Sequence, residues 1–173
     1  MNARIHRRNV ILFTVLGIAA LAWSSEHTPI ARIVYNPSDS VPPGWYRIGL
    51  PESLHVASIV LVQLPADAAA LAAQRGYLPE HIPLLKIIGA MSPQQVCIEG
   101  PIVRIDGVAV AGVRAVDGRG RPLSVWQQCR RLRDGELFLL SANPASFDSR
   151  YFGPISASAV LGEAQPLWTW DTP

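Results

Sequence analysis

Apolar residues fall along most of this chain in short runs punctuated by proline, glycine and polar turns, with one long exception at the start. Val10 to Trp23 is an unbroken run of 14 residues without charge or proline, preceded by Arg4, His6, Arg7 and Arg8. As a helix it would extend about 21 Å, short of the ~30 Å hydrocarbon core of a bilayer, which sets it between a signal peptide and a short anchor. Beyond it, Ala31–Tyr35, Gly44–Ile48, Ala57–Leu64, Leu84–Ile88, Ile102–Ile105, Val108–Ala111 and Glu136–Ser141 read as strands, several rich in β-branched residues. Asp106-Gly107 between two of them is the strongest hairpin signal in the chain. The alanine-rich stretch around residues 66–75, opened by Pro65 and stopped by Gly76, predicts one short helix. Short strands separated by turn signals predict a mostly antiparallel β domain.

Composition agrees with that pattern. Fifteen Pro and 13 Gly disfavour a helical bundle, and 49% hydrophobic residues suffice for a core. A net charge of +2, with no aromatic residues interleaved in a basic stripe, gives nucleic-acid binding no support. The organisation expected is a signal peptide or signal-anchor segment at residues 1–25 and a single domain at 26–173. Positive charge before the apolar run and a long polar chain after it place the body outside the cytoplasm: attached to the inner membrane with the domain in the periplasm, or freely periplasmic if Ala20-Leu21-Ala22 serves as a cleavage site. For an exported body, the two cysteines, Cys97 and Cys129, are expected to form a disulfide.

Three stretches carry candidate chemistry. The first, Asn36-Pro37-Ser38-Asp39-Ser40-Val41-Pro42-Pro43-Gly44, sets two hydroxyls in a proline-stiffened turn. In the second, Lys86 stands between Leu85 and Ile87 in an apolar strand, where lost hydration lowers the pKa of an amine toward the range of a general base. The third runs from Ser141 to Pro154 and holds Ser146, Asp148, Ser149 and Arg150, with Asp148 and Arg150 spaced to form an ion pair. His6, His27, His55 and His81 are scattered without ligand spacing, so neither a metal nor a cofactor is expected. A Ser-His-Asp arrangement would need His55 or His81 beside Ser40, and would leave Lys86 an unexplained buried cation.

In order along the chain, Ser38-Asp39-Ser40-Val41-Pro42-Pro43, Lys86-Ile87-Ile88-Gly89-Ala90-Met91 and Ser146-Phe147-Asp148-Ser149-Arg150-Tyr151-Phe152-Gly153-Pro154 resemble the successive boxes of the type I signal peptidases, and among these the TraF-type peptidases of plasmid conjugation. The resemblance covers about residues 31 to 170. It implies a signal-peptidase-like β fold and a Ser-Lys dyad. Ser40 matches the nucleophile and Lys86 its general base. Ser38 matches the hydroxyl that shares the oxyanion hole with the Ser40 backbone N–H. Ser146 matches the group orienting the lysine, and Asp148, paired with Arg150, the supporting acid. The sequence departs from the family pattern at Ile87, at Ser92-Pro93-Gln94 and at Ser141-Ala142, where a basic residue, Pro-Gly-Asp and Gly-Asp are usual.

The function this implies is a membrane-associated serine endopeptidase that processes an exported protein, expected to be a pilin precursor, by cleavage with or without cyclisation. Substrate would bind as an added strand, with small side chains in shallow pockets near the cut. Its expected partners are that precursor, the inner membrane and components of a conjugation or type IV secretion apparatus. Two alternatives stand beside it: a general leader peptidase, and a lapsed peptidase that serves as a structural component of the same apparatus.

Overall fold

The computed structural model describes residues 2–26, 32–51 and 53–170, in two units, Met1–Ala31 and Arg32–Pro173. The first is one helix, α1, Asn2–Glu26. Its side chains from Val10 to Ile18 are exposed, and apart from Thr14 and Gly17 all nine positions are apolar, so this stretch has no broad polar face. Among the described residues no helix is long and apolar enough to cross a membrane.

The second unit is built from two antiparallel sheets. The larger has seven strands in the order β1-β2-β11-β3-β4-β9-β10. These are β1 (Ile33–Asn36), β2 (Gly44–Gly49), β3 (Ile59–Val62), β4 (Leu84–Met91), β9 (Glu136–Leu140), β10 (Ile155–Ser156) and β11 (Val160–Thr169). The smaller has the order β7-β6-β5-β8, from β5 (Gln95–Glu99), β6 (Ile102–Ile105), β7 (Val108–Gly112) and β8 (Cys129–Arg131). The antiparallel β architecture expected from the strand spacing is the one observed.

Each predicted strand is present, Ile102–Ile105 with its bounds unchanged and the others with shifted ends. The strand expected over Ala31–Tyr35 runs Ile33–Asn36, with Ala31 outside the described residues. That expected over Ala57–Leu64 is confined to Ile59–Val62, because Ala57 turns with φ 77° and Leu64 leaves the ladder toward the helix. Asp106 and Gly107 take φ values of 49° and 84°, the left-handed pair a tight hairpin requires, and join β6 to β7. The predicted helix is α2, Ala66–Gln74, entered from Pro65 and stopped where Gly76 adopts φ 68°. Ala68, Ala69 and Ala72 form its buried face, against Leu64.

Lys86 sits on β4, between β3 and β9, where Val60 is its cross-strand neighbour. Leu85 packs with Val41, Tyr46, Ile48, Leu61 and Ala164, so the turn between β1 and β2 is fastened by Val41 to the strand that carries the lysine. In the smaller sheet, Cys97 on β5 pairs directly with Cys129 on β8 and the two form a disulfide.

Candidate active site

The turn that carries Ser38 and Ser40 is built around Asn36, the last residue of β1. Its side chain is buried and donates to the carbonyls of Ser38 and Val41 at 2.7 and 2.9 Å. Its oxygen accepts from the Ser38 backbone N–H at 3.2 Å and from the Ser38 hydroxyl at 2.8 Å. Tyr46 on β2, also buried, donates its phenol to the Pro42 carbonyl. The prolines restrict φ, but these two side chains satisfy the carbonyls that a tight turn leaves without ladder partners.

Ser38 and Ser40 present their hydroxyls to one another at 2.9 Å. A hydroxyl has one hydrogen. With that of Ser38 given to Asn36, the Ser40 hydroxyl is the donor toward Ser38 or toward the Leu85 carbonyl at 3.1 Å. Leu85 is bonded through that carbonyl to the nitrogen of Lys86, so the turn meets β4 one peptide unit from the lysine.

Lys86 is 3% exposed. Burial lowers its pKa from the ordinary 10.5 to about 8, with Asp148 acting to raise it and Arg150 to lower it. The amine donates to the hydroxyl of Ser146. Ser40 and Lys86 line the same cavity, but among the described residues no hydrogen bond joins them: the serine is turned to Leu85 and the lysine to Ser146.

Ser146 is placed from below by a buried ion pair. Asp148 is fully buried and takes the Arg150 guanidinium by two bonds of 2.7 Å, to Nε and Nη2. The same carboxylate accepts from the backbone N–H groups of Ser141 and Arg150 at 3.0 and 3.2 Å, the latter at the start of the one-turn helix α3, Ser149–Phe152. Arg150 in turn donates to the carbonyls of Gly112, Asn143 and Ser146 at 2.9, 3.0 and 3.2 Å. The pair thus binds the loop after β9 to the smaller sheet and fixes the backbone that presents Ser146 to Lys86.

Both departures near the site have a place. Ile87, where a basic residue is usual, is cross-strand to Ile59 and packs against the cluster around Leu85. Ser141 is buried, and its hydroxyl accepts from the Asn143 backbone and donates weakly, at 3.4 Å, to the Asp39 carbonyl.

The cavity has a volume of about 350 Å³. Ser38, Asp39, Ser40, Lys86, Asn143 and Ser146 supply its polar lining; Pro37, Leu64, Ala72, Tyr77, Leu78, Leu84, Ala145 and Phe147 supply the rest. No histidine lines it, and His55 instead contacts Ser58, which donates to Glu163. The arrangement needed for a Ser-His-Asp site at Ser40 is therefore not present among the described residues. Cys97, Glu99 and Cys129 lie close together, but the disulfide consumes both thiols.

Asn36 stood in the first candidate stretch with no role of its own assigned to it, and Tyr77 was not singled out by the sequence. Asparagine two positions before a serine in a proline-rich turn is the signal that pointed to the first. Nothing local marks Tyr77, which reaches the cavity only because α2 folds back over β4.

The signal peptidase family, peptidase S26, matches residues 5–170. The "Conjugal transfer protein TraF" of Agrobacterium fabrum is 36% identical over 95% of this chain and 98% of its own length. The "Probable conjugal transfer protein TraF" of Sinorhizobium fredii is 33% identical over 90% of this chain and 84% of its own. A solved signal peptidase I from Enterococcus faecalis is 18% identical, with a TM-score of 0.41 over 65% of this chain and 97% of that structure.

Proposed function

The chain belongs to the signal peptidase family, peptidase S26, and from that premise we propose that it is a membrane-associated serine endopeptidase of the Ser-Lys type that matures a conjugative pilin precursor outside the cytoplasm. The observation that carries the reading is Lys86: an amine buried in an apolar strand, with a pKa near 8, opening on the cavity that holds Ser40. The conjugal-transfer names of two relatives support the setting, conjugation.

In this reading the Ser40 hydroxyl turns from the Leu85 carbonyl toward Lys86, whose neutral amine takes its proton as Oγ attacks the scissile carbonyl. The oxyanion forms beside the Ser40 N–H and the Ser38 hydroxyl, which leaves Asn36 to donate to it. Collapse breaks the C–N bond, and the leaving amine takes the proton from Lys86. The acyl group on Ser40 then passes to water, giving a linear product, or to the precursor's own amine, giving a cyclic one.

The test is to produce the chain together with the pilin precursor of its conjugation system and read the intact mass of the product. Processing by wild type and none by Ser40→Ala supports the reading, and a product one water lighter than the linear form identifies cyclisation. Equal processing by Ser40→Ala contradicts it. Rescue of general secretion would favour a leader peptidase instead.

A further inference from the structure

The chain's two cysteines lie in the smaller sheet, and neither lines the catalytic cavity. Cys97 on β5 and Cys129 on β8 are direct cross-strand partners. The Ile98 N–H bonds to the Gln128 carbonyl at 3.0 Å, which makes them a non-hydrogen-bonded pair, the kind whose side chains stand closest. β8 is an edge strand of three residues, a short ladder that the disulfide reinforces. Cys129 is exposed and Cys97 half-buried, so a thiol in solution can reach the bond. Arg104, the cross-strand neighbour of Cys97 on β6 and 3.4 Å from Glu99, puts a cation on the side of the sulfur that would leave.

Three residues before Cys129, the same segment meets the support of the active site. The Trp126 N–H donates to the Arg150 carbonyl at 2.9 Å. Its ring lies on Gly153 so closely that a Cβ there would come within 2.7 Å of Cδ1. The Phe138 ring of β9 stands 5.5 Å away, and Arg130, bonded to Glu136 at 2.6 and 3.0 Å, lies 5.6 Å from the tryptophan ring centre. Trp126 is thus wedged between β8, β9 and the end of α3. Arg150 in turn holds Asp148 and the Ser146 carbonyl, and the Ser146 hydroxyl receives the Lys86 amine. A covalent bond in the smaller sheet is therefore connected to Lys86 by way of Trp126, Arg150 and Ser146.

We propose that the Cys97–Cys129 disulfide is an exchange site for a dithiol reductant, and that its oxidised state holds Ser146 on Lys86, with Trp126 as the positioning residue between them. The effect on activity rests on the endopeptidase reading; the link between the disulfide and Ser146 does not. A thiolate of the dithiol attacks Sγ of Cys129, the S–S bond breaks as a mixed disulfide forms, and Cys97 leaves as a thiolate that takes a proton from water. The second thiolate of the reductant then attacks its own sulfur in the mixed disulfide and frees Cys129, which is protonated in the same way. The protein gains two electrons and two protons, and the dithiol becomes a disulfide. Without the bond the three-residue β8 loosens from β5, Trp126 loses its anchor, and the loop carrying Ser146 moves against the lysine. A misplacement of about 1 Å at a catalytic centre costs on the order of 10²-fold in rate.

Hydrogen exchange separates the link from the chemistry. The full chain, oxidised or reduced with dithiothreitol, is followed by exchange mass spectrometry, and its thiols are counted by maleimide labelling without denaturant. Two thiols are expected to label in the reduced, folded protein. Exchange is expected to rise about tenfold or more at residues 126–132 and also at 141–152, with α2 and β3 unchanged. Processing of the pilin precursor falls about tenfold to a hundredfold in kcat with KM little altered, and reoxidation restores it. Trp126→Ala with the disulfide intact lowers processing to a similar extent, and reduction then adds little, because both changes cut one connection. That variant is read only if its melting curve shows a folded state; reduced wild type decides the matter without it. A disulfide that dithiothreitol leaves intact in the folded protein overturns the proposal, as does exchange that rises at 126–132 alone or evenly across the domain. Full processing by the reduced protein overturns it as well. Coupled exchange at both segments in a protein that processes nothing even when oxidised supports the link and removes the peptidase.

Discussion

The hydroxyl of Ser40 donates to the carbonyl of Leu85 at 3.1 Å, so a residue of the β1–β2 turn is held against the peptide unit that precedes Lys86, 46 positions further along the chain. The consequence is an arrangement in which serine and lysine share one cavity while each is occupied by another partner, Leu85 for the serine and Ser146 for the lysine. The proposed mechanism requires Ser40 to turn from Leu85 toward Lys86, and catalytic hydrogen bonds often form only once substrate is bound.

The pH dependence follows from the lysine. With its pKa near 8, kcat/KM is expected to fall about tenfold per pH unit below that value and to flatten above it, because only the neutral amine accepts the proton. An inflection near the ordinary histidine value of ~6.5 would contradict the assignment.

Stability carries the same signature. An unfolded lysine keeps its proton up to about 10.5, whereas the folded one releases it near 8. Between those values the unfolded chain binds more protons, so stability rises with pH, and below 8 the buried cation destabilises the fold in full. The lowering corresponds to roughly 3 kcal/mol. Lys86→Met is therefore expected to stabilise the protein at neutral pH by up to about 3 kcal/mol while abolishing activity, measured by urea unfolding. Destabilisation of the variant would show that the amine is held by favourable contacts rather than at a cost.

Asn36 and Ser38 separate turn architecture from chemistry. Ser38→Ala removes one donor to the oxyanion and is expected to lower kcat by about 10²–10³ with KM little changed and stability nearly intact, since the side chain is exposed. Asn36→Ala leaves the Ser38 and Val41 carbonyls without their donor and costs about 1–3 kcal/mol of stability in addition to activity. If both variants lose activity but neither loses stability, Asn36 does not organise the turn.

Asp148 and Arg150 are tested by breaking the pair. Asp148→Asn leaves the guanidinium buried without its counter-charge and is expected to destabilise the protein by about 3–5 kcal/mol, read by denaturant unfolding. A loss below 1 kcal/mol would mean that the carbonyls of Gly112, Asn143 and Ser146 suffice to hold the arginine.

Much of this architecture was legible in the chain because local signals and packing agree. Ile59–Val62 is apolar because both of its ladder neighbours, β11 and β4, lie inside the sheet, and Asp106-Gly107 makes the only backbone bend its positive φ values allow. Other elements were hidden where long-range pairing overrides local preference. β11 is the longest strand, yet it contains Gly162 and Pro166 and shifts register at Pro166, so its ten residues do not read as a continuous ladder. β8 is three residues, Cys129–Arg131, polar apart from the cysteine and fixed by its pairing to β5 and by the disulfide. At the site, the order of three motifs along the chain pointed to Ser40, Lys86 and Ser146. Tyr77 gave no such sign, since its position depends on the return of α2 over the sheet and on Asp117, 40 residues away.

The central claim is that Ser40 and Lys86 act as one unit, and processing of the pilin precursor by single and double variants tests it most directly. Ser40→Ala, Lys86→Ala and the double variant are expected to lose processing to the same extent, because two groups that serve one proton transfer are not additive. Normal processing by either single variant would contradict the dyad.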